Sequence, residues 1–291
     1  MTFDCSLSNS SYEMHNVPAR VLHQVDEALY PYDPNWKRVG VNVSGGADSA
    51  VGTSILASLI EELGTETEIY FLTNVRVWNN RPWAGPISVE VYEKIKSMFP
   101  GVTMHRIQNF IPPELEEGSI GMIEQINNTG DRMCTQSFNS FAVYTYKLDA
   151  VYNFITNNPD PETVEHSRGP WDRIWTAEKL AETSVCPQYV THSKDSRKAT
   201  LVHPWKLIKK DFILGQYYRR GWEELLNTTR SCEGDKNLFP DGPFEDYTTY
   251  EHGTSELHEC HEVSDTKEEW CYWCAEREWA KAEAKKKLET K

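Results

Sequence analysis

The chain has 291 residues, 39% of them apolar and 12% aromatic. That is enough to bury a full core as one large domain or a domain with an appendage, and it excludes a mainly disordered protein. Forty-four acidic residues against thirty basic ones give a formal net charge of −14, which repels polyphosphate backbones, makes nucleic acid a poor partner and favours a small-molecule substrate.

The first 36 residues read as a helical lead-in, with an amphipathic helix from Val17 to Leu29 ended by Tyr30-Pro31-Tyr32-Asp33-Pro34. From there β-rich runs alternate with helical ones: Arg38–Val43 as a strand, Asp48–Leu63 as a helix, Glu68–Thr73 as a strand, Ile87–Met98 as a helix and Val102–Ile107 as a strand. A βαβαβ series implies parallel strands, helices on both sheet faces and ligands at the carboxyl ends of the strands. Next come a helix near Gln136–Tyr146, a short strand around Ala150–Phe154, an irregular stretch over 160–200, a last strand at Leu201–Pro204 and a helix from Lys210 to Arg220. Beyond Ser231 the content of Cys, Gly, Asp and Pro rises, and Trp270–Glu289 reads as a charged helix. The expected organisation is a lead-in over 1–36, a nucleotide-binding α/β domain over 37–230 and a Cys-rich appendage with a terminal helix over 231–291.

No run approaches the roughly 18 apolar residues of a membrane span, and the polar start Met1-Thr2-Phe3-Asp4 lacks the regions of a signal peptide, so a cytoplasmic protein with no membrane partner is expected. In that reducing setting the seven cysteines point to metal binding or burial rather than disulfides.

The strongest local signal is Ser44-Gly45-Gly46-Ala47-Asp48-Ser49, a glycine turn between a strand and a helix. Gly45 and Gly46 let the backbone approach phosphate and adopt positive φ, and the helix that follows offers N–H groups and the positive end of its dipole. Ser44 and Ser49 add hydroxyl donors, while Asp48 in the first turn can hold Mg²⁺ or cap the helix. Neither the Walker A lysine nor the dinucleotide glycine pattern is present. The segment resembles the SGGxDS signature of the PP-loop, or N-type, ATP-pyrophosphatases, matching it at every specified position. That resemblance implies a Rossmann-like, adenine nucleotide alpha hydrolase-like parallel sheet, and cleavage of ATP to AMP and pyrophosphate with adenylation of an acceptor oxygen.

Two later segments extend the likeness. His203-Pro204-Trp205-Lys206-Leu207-Ile208-Lys209-Lys210-Asp211-Phe212-Ile213 leads through Gly221 to Thr228-Thr229-Arg230-Ser231-Cys232, and Cys271-Tyr272-Trp273-Cys274-Ala275-Glu276-Arg277 follows. Together they resemble the 7-cyano-7-deazaguanine synthases of queuosine-precursor biosynthesis, over about Arg38 to Ala280. The resemblance implies ATP, Mg²⁺ and Zn²⁺ as cofactors. It also implies a 7-deazapurine acid as substrate, converted with ammonia to the nitrile, and Lys210 and Arg230 as phosphate-facing charges beside Asp48.

Four of the seven cysteines fall in the last 60 residues. Cys271-x-x-Cys274 supplies a two-ligand knuckle that Cys232 and Cys260 complete as a tetrahedral site, with His258 or His261 as substitutes for Cys260. The family packs its last three cysteines as CxxCxxC, whereas ten residues separate Cys260 from Cys271 here.

Two other functions remain open at this level. One is a different PP-loop reaction, amide-forming or sulfur-inserting, on a nucleobase, tRNA or protein acceptor, with Cys134 or Cys186 as nucleophile. The other is a non-catalytic nucleotide-binding module whose appendage docks a partner. Asp131, Arg132, Asn153, Thr156 and Asn157 are polar enough to line a pocket and equally suited to turns. Monomer and homodimer are both open.

Overall fold

The computed structural model describes residues 22–76, 84–111, 135–156, 188–191, 198–205, 208–232, 259, 262, 265–267 and 270–290. In chain order the elements are β1 (Leu22–Val25), β2 (Ala28–Pro31), β3 (Arg38–Asn42), α1 (Ala47–Leu63), β4 (Glu68–Arg76), α2 (Ala84–Met98), β5 (Met104–Ile111), α3 (Thr135–Tyr146), β6 (Ala150–Tyr152), β7 (Gln188–Thr191), β8 (Lys198–Val202), α4 (Lys210–Arg220), α5 (Glu223–Thr228) and α6 (Tyr272–Glu289).

Six strands form one sheet in the order β5-β4-β3-β6-β8-β7. The first five run parallel, and β7 pairs antiparallel with β8 at the edge. Alternate residues of each strand feed opposite faces, as the period of two requires. Val39 and Val41 of β3, Ile69 and Phe71 of β4, and Ala150 and Tyr152 of β6 join a core built from α1, α2, α4, α5 and α6. Tyr70, Leu72 and Val151 point the other way, onto Phe138, Ala142 and Val143 of α3. This is the Rossmann-like parallel sheet with helices on both faces expected from the sequence.

Helix α1 is buried along most of its length, which explains its run of small residues. Gly52 lies where α1 meets the rings of Phe154 and Trp205, and a Cβ there would stand 2.2 Å from Phe154 Cδ1. Thr53 and Ser54 satisfy their buried hydroxyls by donating to the carbonyls of Ser49 and Ala50 four residues back.

The lead-in corrects the sequence reading. Where a helix from Val17 to Leu29 was expected, residues 22–31 form a β-hairpin with Leu22 opposite Pro31 and Val25 opposite Ala28; residues 17–21 lie outside the described residues. Leu22, Val25 and Leu29 have helical spacing, yet Leu29 is exposed while Ala28 and Tyr30 are buried. The hairpin follows from tertiary packing. Tyr30 stacks on Tyr152 and donates to the Gly52 carbonyl at 2.9 Å, and Asp26 takes the left-handed turn position at φ 50°. Two further elements were not foreseen: β7, inside the stretch read as irregular, and the short helix α5. The other elements lie at the expected places with ends shifted by a few residues.

Strand β3 lies between β4 on one side and β6 on the other. The chain therefore reverses its direction of travel across the sheet at β3, and such a switch point opens a crevice at the strand's carboxyl end. The glycine turn leaves β3 at that end. No helix among the described residues is long and apolar enough to cross a membrane.

Candidate active site

The turn after β3 is anchored on both sides. Val43 continues the ladder by donating to the Leu72 carbonyl at 3.0 Å, and its own carbonyl accepts from Thr73 Oγ1 at 2.9 Å. Gly45 then takes φ +82°, and a Cβ there would stand 2.6 Å from Ile87 Cγ2. Only glycine meets both constraints. Gly46 is the N-cap of α1, and no side chain caps the first turn of the helix, an arrangement in which the positive end of a helix can take an anion. Ser44 is exposed at the mouth, whereas the Ser49 hydroxyl is turned inward and donates to the Gly46 carbonyl at 3.1 Å.

Two contacts from later in the chain fix the turn. The Arg230 backbone N–H donates to the Gly45 carbonyl at 3.0 Å. Tyr217 of α4 donates its hydroxyl to the Ala47 carbonyl at 2.6 Å. Burial holds the Tyr217 phenol well above its usual range, so it remains a neutral donor.

Lys210, the first residue of α4, reaches the same place. Its Nζ stands 3.1 Å from Asp48 Oδ2 and 3.1 Å from Glu276 Oε2 of α6. The three side chains are graded in exposure, with Asp48 at 17%, Lys210 at 2% and Glu276 at 0%. Asp48 therefore faces the mouth of the turn, Lys210 lies behind it and Glu276 behind both. A buried charge left without its partner costs about 3–5 kcal/mol, so two carboxylates on one ammonium make Lys210 tolerable in the interior.

Arg230 reaches the loop through its main chain. Its guanidinium is turned back, Nη1 donating to the carbonyls of Asn227 at 2.7 Å and Thr229 at 3.1 Å. Arg277, buried in α6, braces the same segment by donating to Thr229 Oγ1, Ser231 Oγ and the Leu226 carbonyl.

Immediately after this segment is Cys232, and the structure brings it to Cys271 and Cys274, 39 and 42 positions away in sequence. The three Sγ atoms all lie within 4.8 Å of one another, and Cys271 Sγ is 3.9 Å from Cys232 Sγ. Two sulfurs on one tetrahedral ion, each at about 2.3 Å, stand about 3.8 Å apart, so the donor set fits a single thiolate-bound metal ion. Cys271 is the N-cap of α6 and Cys274 lies in its first turn, where the helix dipole favours anionic sulfur. Glu259 Oε1 accepts the backbone N–H groups of Ser231 and Cys232 at 2.6 and 3.1 Å and so fixes the third cysteine.

Of the other residues singled out from the sequence, Asn153 and Thr156 follow β6, beside the carboxyl end of β3, with Asn153 N donating to the Val202 carbonyl at 2.9 Å and Thr156 fully buried. Cys260, His258, His261, Cys134, Cys186, Asp131, Arg132 and Asn157 lie outside the described residues. Sequence reasoning missed Glu276, Arg277, Glu259 and Tyr217. The available signal for the first two was their place directly after the Cys271-x-x-Cys274 knuckle, on a helix long enough to reach back across α4.

No protein-family model matches the chain, and no curated protein matches it. Among solved structures it is similar to the U34-tRNA thiolase NcsA of Methanococcus maripaludis with its [4Fe-4S] cluster, at 12% identity and a TM-score of 0.42, over 87% of this chain and 73% of that one. It is also similar to the NAD⁺ synthetase of Burkholderia pseudomallei, at 10% identity and a TM-score of 0.28, over 88% and 82% of the two chains. A third similarity is to the glutamine-dependent NAD⁺ synthetase of Acinetobacter baumannii in complex with ADP, at 14% identity and a TM-score of 0.34, over 76% of this chain and 39% of that one.

Proposed function

We propose that the chain is a Mg·ATP-dependent enzyme of the PP-loop type that cleaves ATP to AMP and pyrophosphate and adenylates a small acid. The observation that carries this reading is the Ser44–Ser49 turn. It enters the uncapped N-terminus of α1 at the switch point of the sheet, with the Lys210 ammonium 3.1 Å from Asp48 beside it. In this reading the N–H groups of Gly45, Gly46, Ala47 and Ser49 and the exposed Ser44 hydroxyl bind phosphate oxygens. Asp48, the most exposed member of its ion cluster, takes the Mg²⁺ that accompanies the nucleotide. Lys210 opposes the charge that grows on the leaving pyrophosphate, and the protein's contribution is positioning and charge neutralisation. A phosphate contact by the Arg230 side chain would replace its present bonds to Asn227 and Thr229.

For the acceptor we take the carboxylate of 7-carboxy-7-deazaguanine. Ammonia displaces AMP to give the amide, and a second activation dehydrates the amide to the nitrile. The support for this acceptor is the residue-level resemblance of the Lys210 and Cys232 segments and the thiol cluster to which Cys232 contributes. The cluster is read as a structural zinc site of Cys232, Cys271 and Cys274, with Cys260 as the fourth ligand.

The test is an AMP-release assay over a panel of 7-deazapurine acids, with metal content measured on the same sample. Release of AMP and pyrophosphate dependent on one of these acids is the expected result. Release of ADP and orthophosphate would overturn the adenylation reading. AMP release dependent only on a different acceptor would overturn the choice of substrate.

A further inference from the structure

We propose that Glu276 is a positioning residue for Lys210, holding its ammonium in place when Asp48 turns to the metal ion of the nucleotide. The inference rests on the adenylation reading above and assigns a role to a residue outside the phosphate turn.

The geometry of the ion cluster leads to it. Lys210 Nζ is shared between two carboxylates at 3.1 Å each, one from α1 and one from α6. The partners are not equivalent. Asp48 is 17% exposed and lies in the first turn of α1 beside the phosphate turn, whereas Glu276 is fully buried. A divalent cation at the mouth can therefore reach Asp48 and not Glu276. Engagement of Asp48 by that cation would weaken its hold on Lys210, and a buried ammonium with no other acceptor would have to move or be left unpaired. Glu276 supplies that other acceptor from the side away from the ligand, and the Lys210–Glu276 pair left behind is neutral. It also opposes the tendency of a flexible lysine to swing out with the nucleotide, because the four-carbon stem has many rotamers and its head is a point charge without preferred orientation.

Glu276 is itself rigidly placed. It projects from α6, which packs along α4, and the next residue, Arg277, is bonded to three groups of the 226–231 segment. No substrate or nucleotide contact is needed for this role, since Glu276 acts through Lys210.

The experiment compares Glu276→Gln and Glu276→Ala with wild type in full-length, metal-loaded protein, measuring kcat and KM for ATP in AMP release together with metal content. Glutamine keeps the length and one acceptor oxygen, and alanine keeps neither. A displaced lysine acts mainly in the transition state, so kcat should fall by about a hundredfold in Glu276→Ala, with KM for ATP changed far less. Glu276→Gln should recover part of that loss at equal metal content. Wild-type kcat in folded, metal-loaded Glu276→Gln and Glu276→Ala would overturn the inference, as would a loss confined to KM. If Glu276→Ala does not fold, Glu276→Gln decides alone: a reduced kcat with KM kept supports the role and an unchanged kcat removes it. Absence of AMP release from wild type with every acceptor would instead overturn the adenylation reading.

Discussion

The backbone N–H of Arg230 donates to the carbonyl of Gly45 at 3.0 Å, so the left-handed residue of the glycine turn is tied to a segment that two residues later supplies Cys232. A second path joins the same regions, from Cys274 through Glu276 to Lys210 and Asp48. The thiol cluster and the glycine turn are thus braced against each other. With the proposed zinc on the thiol cluster and the proposed ATP at the turn, removal of the metal by chelation, or by Cys232→Ser, should weaken ATP binding by about tenfold or more as well as lower thermal stability, because bound metal contributes directly to folding free energy. Calorimetric titration with ATP before and after chelation checks this. Unchanged ATP affinity in metal-free protein would show that the two regions are independent.

Gly45→Ala should be damaging in two ways. The residue would be forced into φ +82°, and its Cβ would lie 2.6 Å from Ile87 Cγ2. Backbone strain of this kind costs about 1–3 kcal/mol, and the clash adds to it. The expected outcome is a lower unfolding midpoint and loss of ATP binding. A folded variant that binds ATP as wild type does would contradict the role of the turn.

Under the proposed adenylation, Asp48→Ala should abolish AMP release while the protein stays folded and keeps any metal on the thiol cluster. Lys210 retains Glu276 at 3.1 Å, so the substitution does not leave the ammonium without an acceptor. The destabilisation should therefore fall below the roughly 3–5 kcal/mol of a buried charge stripped of its partner. Denaturant melts, metal analysis and the AMP assay on one preparation separate these effects.

Gly52→Ala tests the packing of α1 independently of chemistry. Its Cβ would meet Phe154 Cδ1 and Cε1 at 2.2 Å and Trp205 Nε1 at 2.9 Å. Overpacking of this kind costs about 1–3 kcal/mol, which should appear as a lower midpoint in urea with little change in the slope.

At the opposite end of the strands, Glu68 Oε2 is bonded to His105 Nε2 at 2.8 Å and accepts from Tyr70 at 3.0 Å. The His105 hydrogen bond first, and then those of Tyr70 and the charge of Arg38, hold the Glu68 carboxyl below its usual range. Because the folded value lies below the unfolded one, the unfolded state binds the proton more readily. The stabilisation is present above the ordinary glutamate value of about 4.3 and is lost as pH falls through the depressed folded value. Glu68→Gln should flatten that acid limb, measured as unfolding free energy against pH.

The glycine turn was legible because its determinants are local: a strand that ends, two glycines and a helix that begins within a dozen residues. The βαβαβ order was legible for the same reason, since burial on two faces imposes its period directly on the chain. The hairpin at residues 22–31 was not legible, because Leu22, Val25 and Leu29 are spaced three and four apart, the period of a helix and not of a strand. What decided it was Tyr30 packing on Tyr152, a partner 122 positions away. The cysteine knuckle was visible as Cys271-x-x-Cys274, and its geometry with Cys232 depended on how Glu259 and Arg277 hold the segment that ends at Cys232.

By itself the sequence determined the glycine turn between strand and helix, the parallel α/β class and the residue types available to a thiolate site. Those features rest on interactions between neighbours in the chain, which a linear pattern records. Only the tertiary structure decided that Lys210 lies between Asp48 and Glu276, residues 162 and 66 positions from it in sequence. It also decided that Arg230 meets the glycine turn through its backbone. Side-chain direction at helix starts, and the order of exposure within a buried ion cluster, follow from how α1, α4 and α6 pack together, and no local pattern encodes that packing.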